Sequence, residues 1–475
     1  MKNFFHRLWP TAAILALLPL IARGVEQSPL NSGHENAPAF TPDWSKFPSI
    51  QGTAPEIKII KVSTGGTLHR FFDTSPFSPS GRYLALFRFP QENISPRPGE
   101  PGEVILVDLQ TGMQRVVAES RGYEMQLGAN VQWGATDNDL FFNDVDPKTW
   151  RAFAVHLNPA TGVARKMDGT VFMVSPDGKQ LASYNLVNSR RAQVGYGVIV
   201  PDSAMPPRQG GPTDDAGVVL TDVATGKART LVTIRDIYER AQPSLKIPHP
   251  EDYEFYCFQT KWNPQGTRLL TTLQWSPRQP NQEPTSGAKS RMRAVITMHP
   301  DGSDLRVAIS PDQWARGGHH INLMADGEHL SMNLNVGQEP GFKIISVKPD
   351  GTDLKILYQP GSGHPSQHPG GSPWFITDAY PDEPVSPQDG TSPLRLINTE
   401  TKTEQRVINI FVSMVSGEFR IDPHPAWDRT GRFIAFNGFA DNTRNVFIAD
   451  VSALMQRSEI THKTTSSSHP LTIAP

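Results

Sequence analysis

Cysteine is nearly absent. Cys257 stands alone in 475 residues, so no internal disulfide can staple this chain. Charge of one sign is lacking as well: charged residues make up 19% and the formal charge is −2, which excludes the global basic field that nucleic-acid binding uses. Long hydrophobic runs are missing except near the start, where 11–22 is too short to span a bilayer. Beyond that run, no segment of useful length repeats its apolar residues at helical spacing. What is plentiful is Pro (43) and Gly (38), with 9% aromatics, as expected of many short strands joined by turns.

The N-terminus places Lys2 and Arg7 before the apolar run and the small-x-small triplet Ala22-Arg23-Gly24 after it. This pattern predicts a signal peptide over 1–24, a periplasmic or secreted protein, and no membrane span once the peptide is removed. Residues 25–50 read as a polar lead-in, 51–456 as the folded domain, and 457–475, rich in Ser and Thr, as a loose tail.

Within the domain one pattern recurs seven times: a short strand, a tight turn, and a returning strand. The turns are Pro79-Ser80-Gly81, Thr136-Asp137-Asn138, Pro176-Asp177-Gly178, Pro264-Gln265-Gly266, Ala325-Asp326-Gly327, Pro369-Gly370-Gly371 and Arg429-Thr430-Gly431. Six end in Gly, as a turn requiring positive φ demands. Downstream of each comes an apolar strand, in most repeats followed by a Thr-Gly or Asp-Gly turn, as in Asp108-Leu109-Gln110-Thr111-Gly112 and Asp301-Gly302. Four strands per repeat and seven repeats predict an all-β fold, a seven-bladed β-propeller of four-stranded blades.

The topology has a consequence for the site. If strand A starts at the mouth of the propeller, the A–B and C–D turns lie on the far face, and the B–C and D–A connections return to the mouth. The long segments 90–101, 186–216, 234–256, 275–292 and 379–393 are all connections of the second kind. Long loops on a rigid scaffold are where function concentrates. Stepping back seven residues from the last four turn glycines gives Gln259, His320, His364 and His424, at the start of strand A and so at the same mouth. The first three repeats offer Thr74, Val131 and Val171 there.

Three imidazoles and an amide at one level predict a divalent metal site, with manganese, zinc or calcium as the ion. Propellers also use Gly-His pairs purely to tie strands together, and Gly363-His364 has that form. Such ties do not explain histidine at the matching position of three adjacent blades. Asp422, two residues before His424, and Asp378 are placed to orient or support the ligands. Arg190, Arg191 and Tyr196 lie in the long loop after the third repeat. They are either a basic tip with an aromatic staple or a reader of acidic substrate, since the Arg fork matches carboxylate or sulfate. Tyr184, in core or at the mouth, is a second candidate phenol. Asn185 returns to the same level, and Gln126 and Gln132, before the second turn, are candidates for contacting sugar hydroxyls.

Val174-Ser175-Pro176-Asp177-Gly178-Lys179 resembles the repeat of TolB-type propellers. Several narrower stretches resemble propellers of the oligogalacturonate-lyase and ulvan-lyase type, over most of 60–455. They are Gln126-Leu127-Gly128-Ala129-Asn130-Val131-Gln132-Trp133, the loop 188–197 through Tyr196, Gly363-His364-Pro365-Ser366 with Thr377-Asp378-Ala379-Tyr380, and Asp422-Pro423-His424-Pro425-Ala426-Trp427. The resemblance implies a polysaccharide lyase that β-eliminates uronic-acid-containing oligo- or polysaccharides with a divalent metal. His320, His364, His424 and Gln259 would hold the ion, Arg190 or Arg191 would bind substrate charge, and Tyr196 or Tyr184 would serve as acid or base. The chain departs from that family's pattern at Gln259, where the lyases carry a histidine, and at Asp422, where they carry a second one. Two other functions fit the same fold: a non-catalytic TolB-like binding or scaffold propeller, and a metal-dependent hydrolase with Asp422 or Asp378 as its carboxylate base.

Overall fold

The computed structural model describes residues 40–278, 291–413 and 415–457, with Ala192 described by its backbone alone. The signal peptide assigned to 1–24, the lead-in up to residue 39, and the tail beyond 457 lie outside these residues. Seven antiparallel sheets follow one another along the chain, six of four strands and one of five. The fold is a seven-bladed β-propeller. Its innermost strands A are Thr67–Leu68, Gln132–Trp133, Met173–Val174, Tyr253–Trp262, Gly318–Leu323, Ser366–Gln367 and Ala426–Trp427.

Blades pack face to face, so their middle strands are buried on both sides and read as continuous apolar runs rather than alternating ones. Leu330–Leu334 and Lys343–Val347 in blade 5 are buried at every position. The outer strand Ala228–Thr233 of blade 3 is largely exposed. In blades 3, 5 and 7 the turn between strands A and B presses on the preceding blade at its glycine. A Cβ on Gly327 would run into the side-chain amide of Gln265, and one on Gly431 into the imidazole of His368. Both also sit at positive φ, 72° and 74°.

The ring closes on the one five-stranded sheet. Phe433–Ala440 and Thr443–Asp450 continue into two N-terminal strands, Lys58–Lys61 and then Ser49–Gln51. Part of the stretch read from sequence as a polar lead-in is therefore the outermost strand of blade 7. Ile59 and Ile60 are each 1% exposed, and Ile60 packs with Val446 and Ile448 of the last repeat and with Phe77 and Leu84 of the first. Sequence-distant strands thus lock the first blade to the last.

Candidate metal centre at the channel mouth

His320, His364 and His424 come together. The ring centroids of His320 and His364 are 3.7 Å apart, and those of His364 and His424 4.4 Å. The backbone that brings them there is unusual. Gln259, His320 and His424 have left-handed φ of 57°, 59° and 48°, and in blade 6 Gly363, just before His364, has φ 45°. The pairing register slips at the same point, between Phe258 and Lys261 and between His319 and Asn322. A bulge in strand A thus re-aims the side chain in blades 4 and 5. Non-glycine residues in this conformation are uncommon and cluster at functional sites.

Asp378 fixes the His364 ring. The His364 Nδ1 lies 2.9 and 3.0 Å from the two Asp378 carboxylate oxygens, and the His364 amide donates to the same carboxylate at 2.6 Å. Burial pushes the Asp378 carboxyl up, but the His364 imidazole and its hydrogen bonds outweigh this and hold it below the usual carboxylate range. With Nδ1 engaged, Nε2 of His364 is left buried without a hydrogen bond among the described residues, and so are both ring nitrogens of His424, whose Nε2 lies 3.7 Å from the Asp422 carboxylate. Orphaned buried imidazole nitrogens carry a real desolvation cost, which a bound cation would relieve. Ligand atoms of His364, Asp422 and His424 all lie within 4.8 Å of one another, and all three residues are buried. Two nitrogens and a carboxylate oxygen suit a first-row divalent ion, so the donor set fits.

This group differs from the ligand set read from sequence. Asp422 belongs to it rather than standing behind it. His320 falls outside it, and both its nitrogens have other neighbours: Nδ1 is 2.6 Å from the Gly363 carbonyl and 2.6 Å from Nδ1 of His319, and Nε2 is 3.3 Å from the Tyr380 hydroxyl. Gln259 is buried at the same register on strand A of blade 4, two blades from His364. Burial, reinforced by the neighbouring imidazoles, pushes His320 and His424 well below the ordinary histidine range, so both are neutral near pH 7.

The walls are made by residues that the sequence reading did not assign. Arg420, from the long connection before blade 7, donates from Nε to Asp422 at 3.0 Å and places its guanidinium 5.8 Å from the Tyr196 ring. Burial works against its charge, but Asp422, Tyr196 and Tyr380 more than offset this. The Tyr196 and Tyr380 phenols are both pushed up, chiefly by burial. Glu383 accepts from the amides of Gly363 and Tyr380 and stands 3.6 Å from His319; burial raises its carboxyl to about 7. His69 is wholly buried, both ring nitrogens are without a partner, and burial depresses it to about 4. It lies off the repeat register, which is why the seven-residue offset missed it.

Below the imidazoles the channel is filled. Phe71 lies edge-on to His424 at 4.6 Å, and Phe72 sits 5.4 Å from His364. Beneath them Lys261, fully buried, pairs with Asp73 at 3.0 Å, and Arg70 holds the other oxygen of the same carboxylate.

The remaining residues singled out from sequence have other partners. Arg190 donates to the Val200 carbonyl at 2.7 Å, within its own loop. Arg191 donates to the Pro206 carbonyl at 2.5 Å and pairs with Glu254 at 3.9 Å. Tyr184 is buried against Phe172 and Phe258. Gln126 holds the carbonyls of Glu418 and Arg420, which seats the connection carrying Arg420. Gln132 ties blade 2 to Phe172 and Val174 of blade 3, and Asn185 accepts from the Asn188 amide.

Fold and site together define a seven-bladed propeller with a buried imidazole–carboxylate cluster at the mouth of its channel. No family model and no curated protein matches the chain. Among solved structures it is similar to an oligogalacturonate lyase in complex with manganese, at 16% identity and a TM-score of 0.57, covering 85% of this chain and 96% of that one. It is likewise similar to an oligogalacturonate lyase from Vibrio parahaemolyticus, at 14% identity and a TM-score of 0.56, with the same coverage. The propeller is of the oligogalacturonate-lyase type in its fold.

Proposed function

We propose that this protein is a metal-assisted polysaccharide lyase that cleaves uronic-acid-containing oligo- or polysaccharides by β-elimination. The observation that carries the reading is the group His364, Asp422 and His424, with ligand atoms within 4.8 Å and unpartnered imidazole nitrogens, set beside Arg420, Tyr380 and His320. The manganese complex of a protein with the same fold supports it.

Elimination at a uronate is difficult because the C5 proton leaves a carbon already next to a carboxylate. A divalent ion held by His364, Asp422 and His424 would supply positive charge to that carboxylate. Arg420, pinned by Asp422 and facing Tyr196, adds a second fixed cation at the same wall. His320 is the base: Nδ1 donates to the Gly363 carbonyl, so Nε2 carries the lone pair, which accepts from the Tyr380 hydroxyl, and burial keeps the ring neutral. Tyr380 is the acid, since burial keeps its phenol protonated. His320 takes the proton from C5, the C4–C5 double bond forms as the C4–O bond breaks, and Tyr380 protonates the departing oxygen. Their hydrogen bond returns the proton from imidazole to phenol. Tyr380 takes the place that Tyr196 and Tyr184 hold in the sequence reading, because it is the phenol in contact with a mouth histidine.

A metal-dependent hydrolase would need an unengaged carboxylate beside the ion. Asp378 is held by His364, and Asp422 by Arg420. An exported location follows from the substrate class and from the N-terminal pattern at 1–24, and among the described residues no helix is long and apolar enough to cross a membrane. The test is metal analysis of the purified protein together with unsaturated-uronate absorbance on a panel of acidic polysaccharides. Bound metal and rising absorbance support the lyase. An absence of both leaves a binding propeller.

A further inference from the structure

Among the described residues, two arginines of blade 4 have no acidic partner. Arg291 and Arg293 lie at the mouth-side start of the third strand of that blade, Met292–Met298, and neither forms an ion pair among the described residues. The carboxylate on the same sheet, Glu254, is already taken by Arg208 at 2.8 Å and Arg191 at 3.9 Å. Tyr256, Gln274 and Arg293 are register partners across three strands, so their side chains share one face. That face looks toward blade 5, since Val295, two residues further along it, packs with Ile321 and Leu330.

The donors gathered there outnumber the acceptors. Arg293 Nε and the Tyr256 hydroxyl both point at one acceptor, the Gln274 side-chain oxygen, at 3.4 and 3.5 Å. Arg291 Nε and the Trp314 indole N–H are buried with no hydrogen-bond partner among the described residues. The Trp314 ring lies 5.9 Å from the Arg293 guanidinium. Burial, and then the like charge of Arg291, draws Arg293 down to about 10. Two like charges held together in a partly desolvated place are costly unless an anion joins them. Trp314 belongs to the short helix Pro311–Ala315, directly before Gly318–Leu323, the strand that carries His319 and His320. The charge of Arg293 also reaches His319.

We propose that Arg291 and Arg293, with Tyr256 and the Trp314 indole, form a second oxyanion subsite on the face of blade 4 that looks toward blade 5. It takes an acidic group on a sugar residue adjoining the one that is cleaved. The assignment of that group to the substrate rests on the lyase reading; the binding of an oxyanion does not. A carboxylate of a neighbouring uronate and a sulfate ester present the same oxygen edge to an arginine fork.

The experiment separates the two sources and does not depend on turnover. The whole protein is titrated calorimetrically with glucuronate, with inorganic sulfate, and with glucose as the neutral control. The same titrations are run on Arg291→Gln/Arg293→Gln and on Arg429→Gln, an arginine at the far face, with thermal unfolding as a check on folding. The double variant is expected to bind one or both anions about tenfold or more weakly, with metal content and unfolding midpoint unchanged, while Arg429→Gln binds as wild type. Loss confined to glucuronate assigns a carboxylate, and loss confined to sulfate a sulfate ester. Anion binding equal in wild type and the folded double variant overturns the subsite, as does a wild type that binds neither anion, whether or not the protein proves to be a lyase.

Discussion

The Tyr380 hydroxyl stands 3.3 Å from Nε2 of His320, and on the other side of the same ring Nδ1 lies 2.6 Å from the Gly363 carbonyl. One contact fixes the tautomer and the other uses the nitrogen thereby left basic. Tyr380→Phe keeps the ring and removes the proton, so kcat should fall about 10²- to 10⁴-fold, the usual contribution of a general acid. KM and bound metal should change little. Steady-state kinetics with metal analysis checks this; a variant with wild-type kcat assigns the acid to another residue.

Asp378 touches no reacting atom in this scheme, and its effect should appear in metal affinity. Asp378→Asn weakens the grip on Nδ1 of His364 and should lower the affinity for the ion about 10- to 100-fold. His424→Ala removes a ligand and should abolish stoichiometric binding. Competition titration against a metal chelator separates the two. Equal affinity in wild type and Asp378→Asn would mean that the carboxylate only ties strands together.

Closure of the ring predicts a stability effect far from the site in sequence. Ile60 is 1% exposed and is shared between the first and last blades. Ile60→Ala should cost about 2–5 kcal/mol, as other large-to-small core changes do, and shift the urea midpoint downward. Deleting the strand Lys58–Lys61 should cost more than that single cavity, because the edge of Thr443–Asp450 is then unpaired.

The propeller was legible because its repeat is enforced by packing. Six A–B turns place a glycine at positive φ, and some of them, like Gly327 on Gln265, also press on the preceding blade, so the turn glycine recurs in register and marks the positions of His320, His364 and His424. The pairing of Lys58–Lys61 with Thr443–Asp450 joins the two ends of the domain and leaves no local pattern. Arg420 and Tyr380 stand on connections outside the repeat, and His69 directly follows strand A of blade 1, off the shared offset. Arg190 and Arg191 look like a substrate reader in sequence because the groups that engage them, the Val200 carbonyl and Glu254, are distant or ordinary there. The left-handed φ at Gln259, His320 and His424 is likewise hard to read from sequence, since even residues enriched there, such as His, adopt it only occasionally.

The floor of the channel provides the sharpest test of electrostatics in the fold. Asp73 is buried between Arg70 and Lys261, and Lys261 also donates to the Ile321 carbonyl at 2.7 Å. Burial raises the Asp73 carboxyl, yet the two cations and their hydrogen bonds more than reverse this and hold it below its ordinary 3.8. A carboxyl lowered on folding contributes stability that is present above the unfolded value and is lost as pH falls through the folded one. Wild type should therefore lose stability progressively below about pH 3.8 through this group. Asp73→Asn leaves two buried cations without a counter-charge and should cost about 3–5 kcal/mol at neutral pH. The gap between variant and wild type should narrow as acid protonates Asp73 in the latter. Urea unfolding at neutral pH and at a series of acid pH values measures both effects. A gap that stays constant across that range would show that Asp73 is held by packing rather than by its charge.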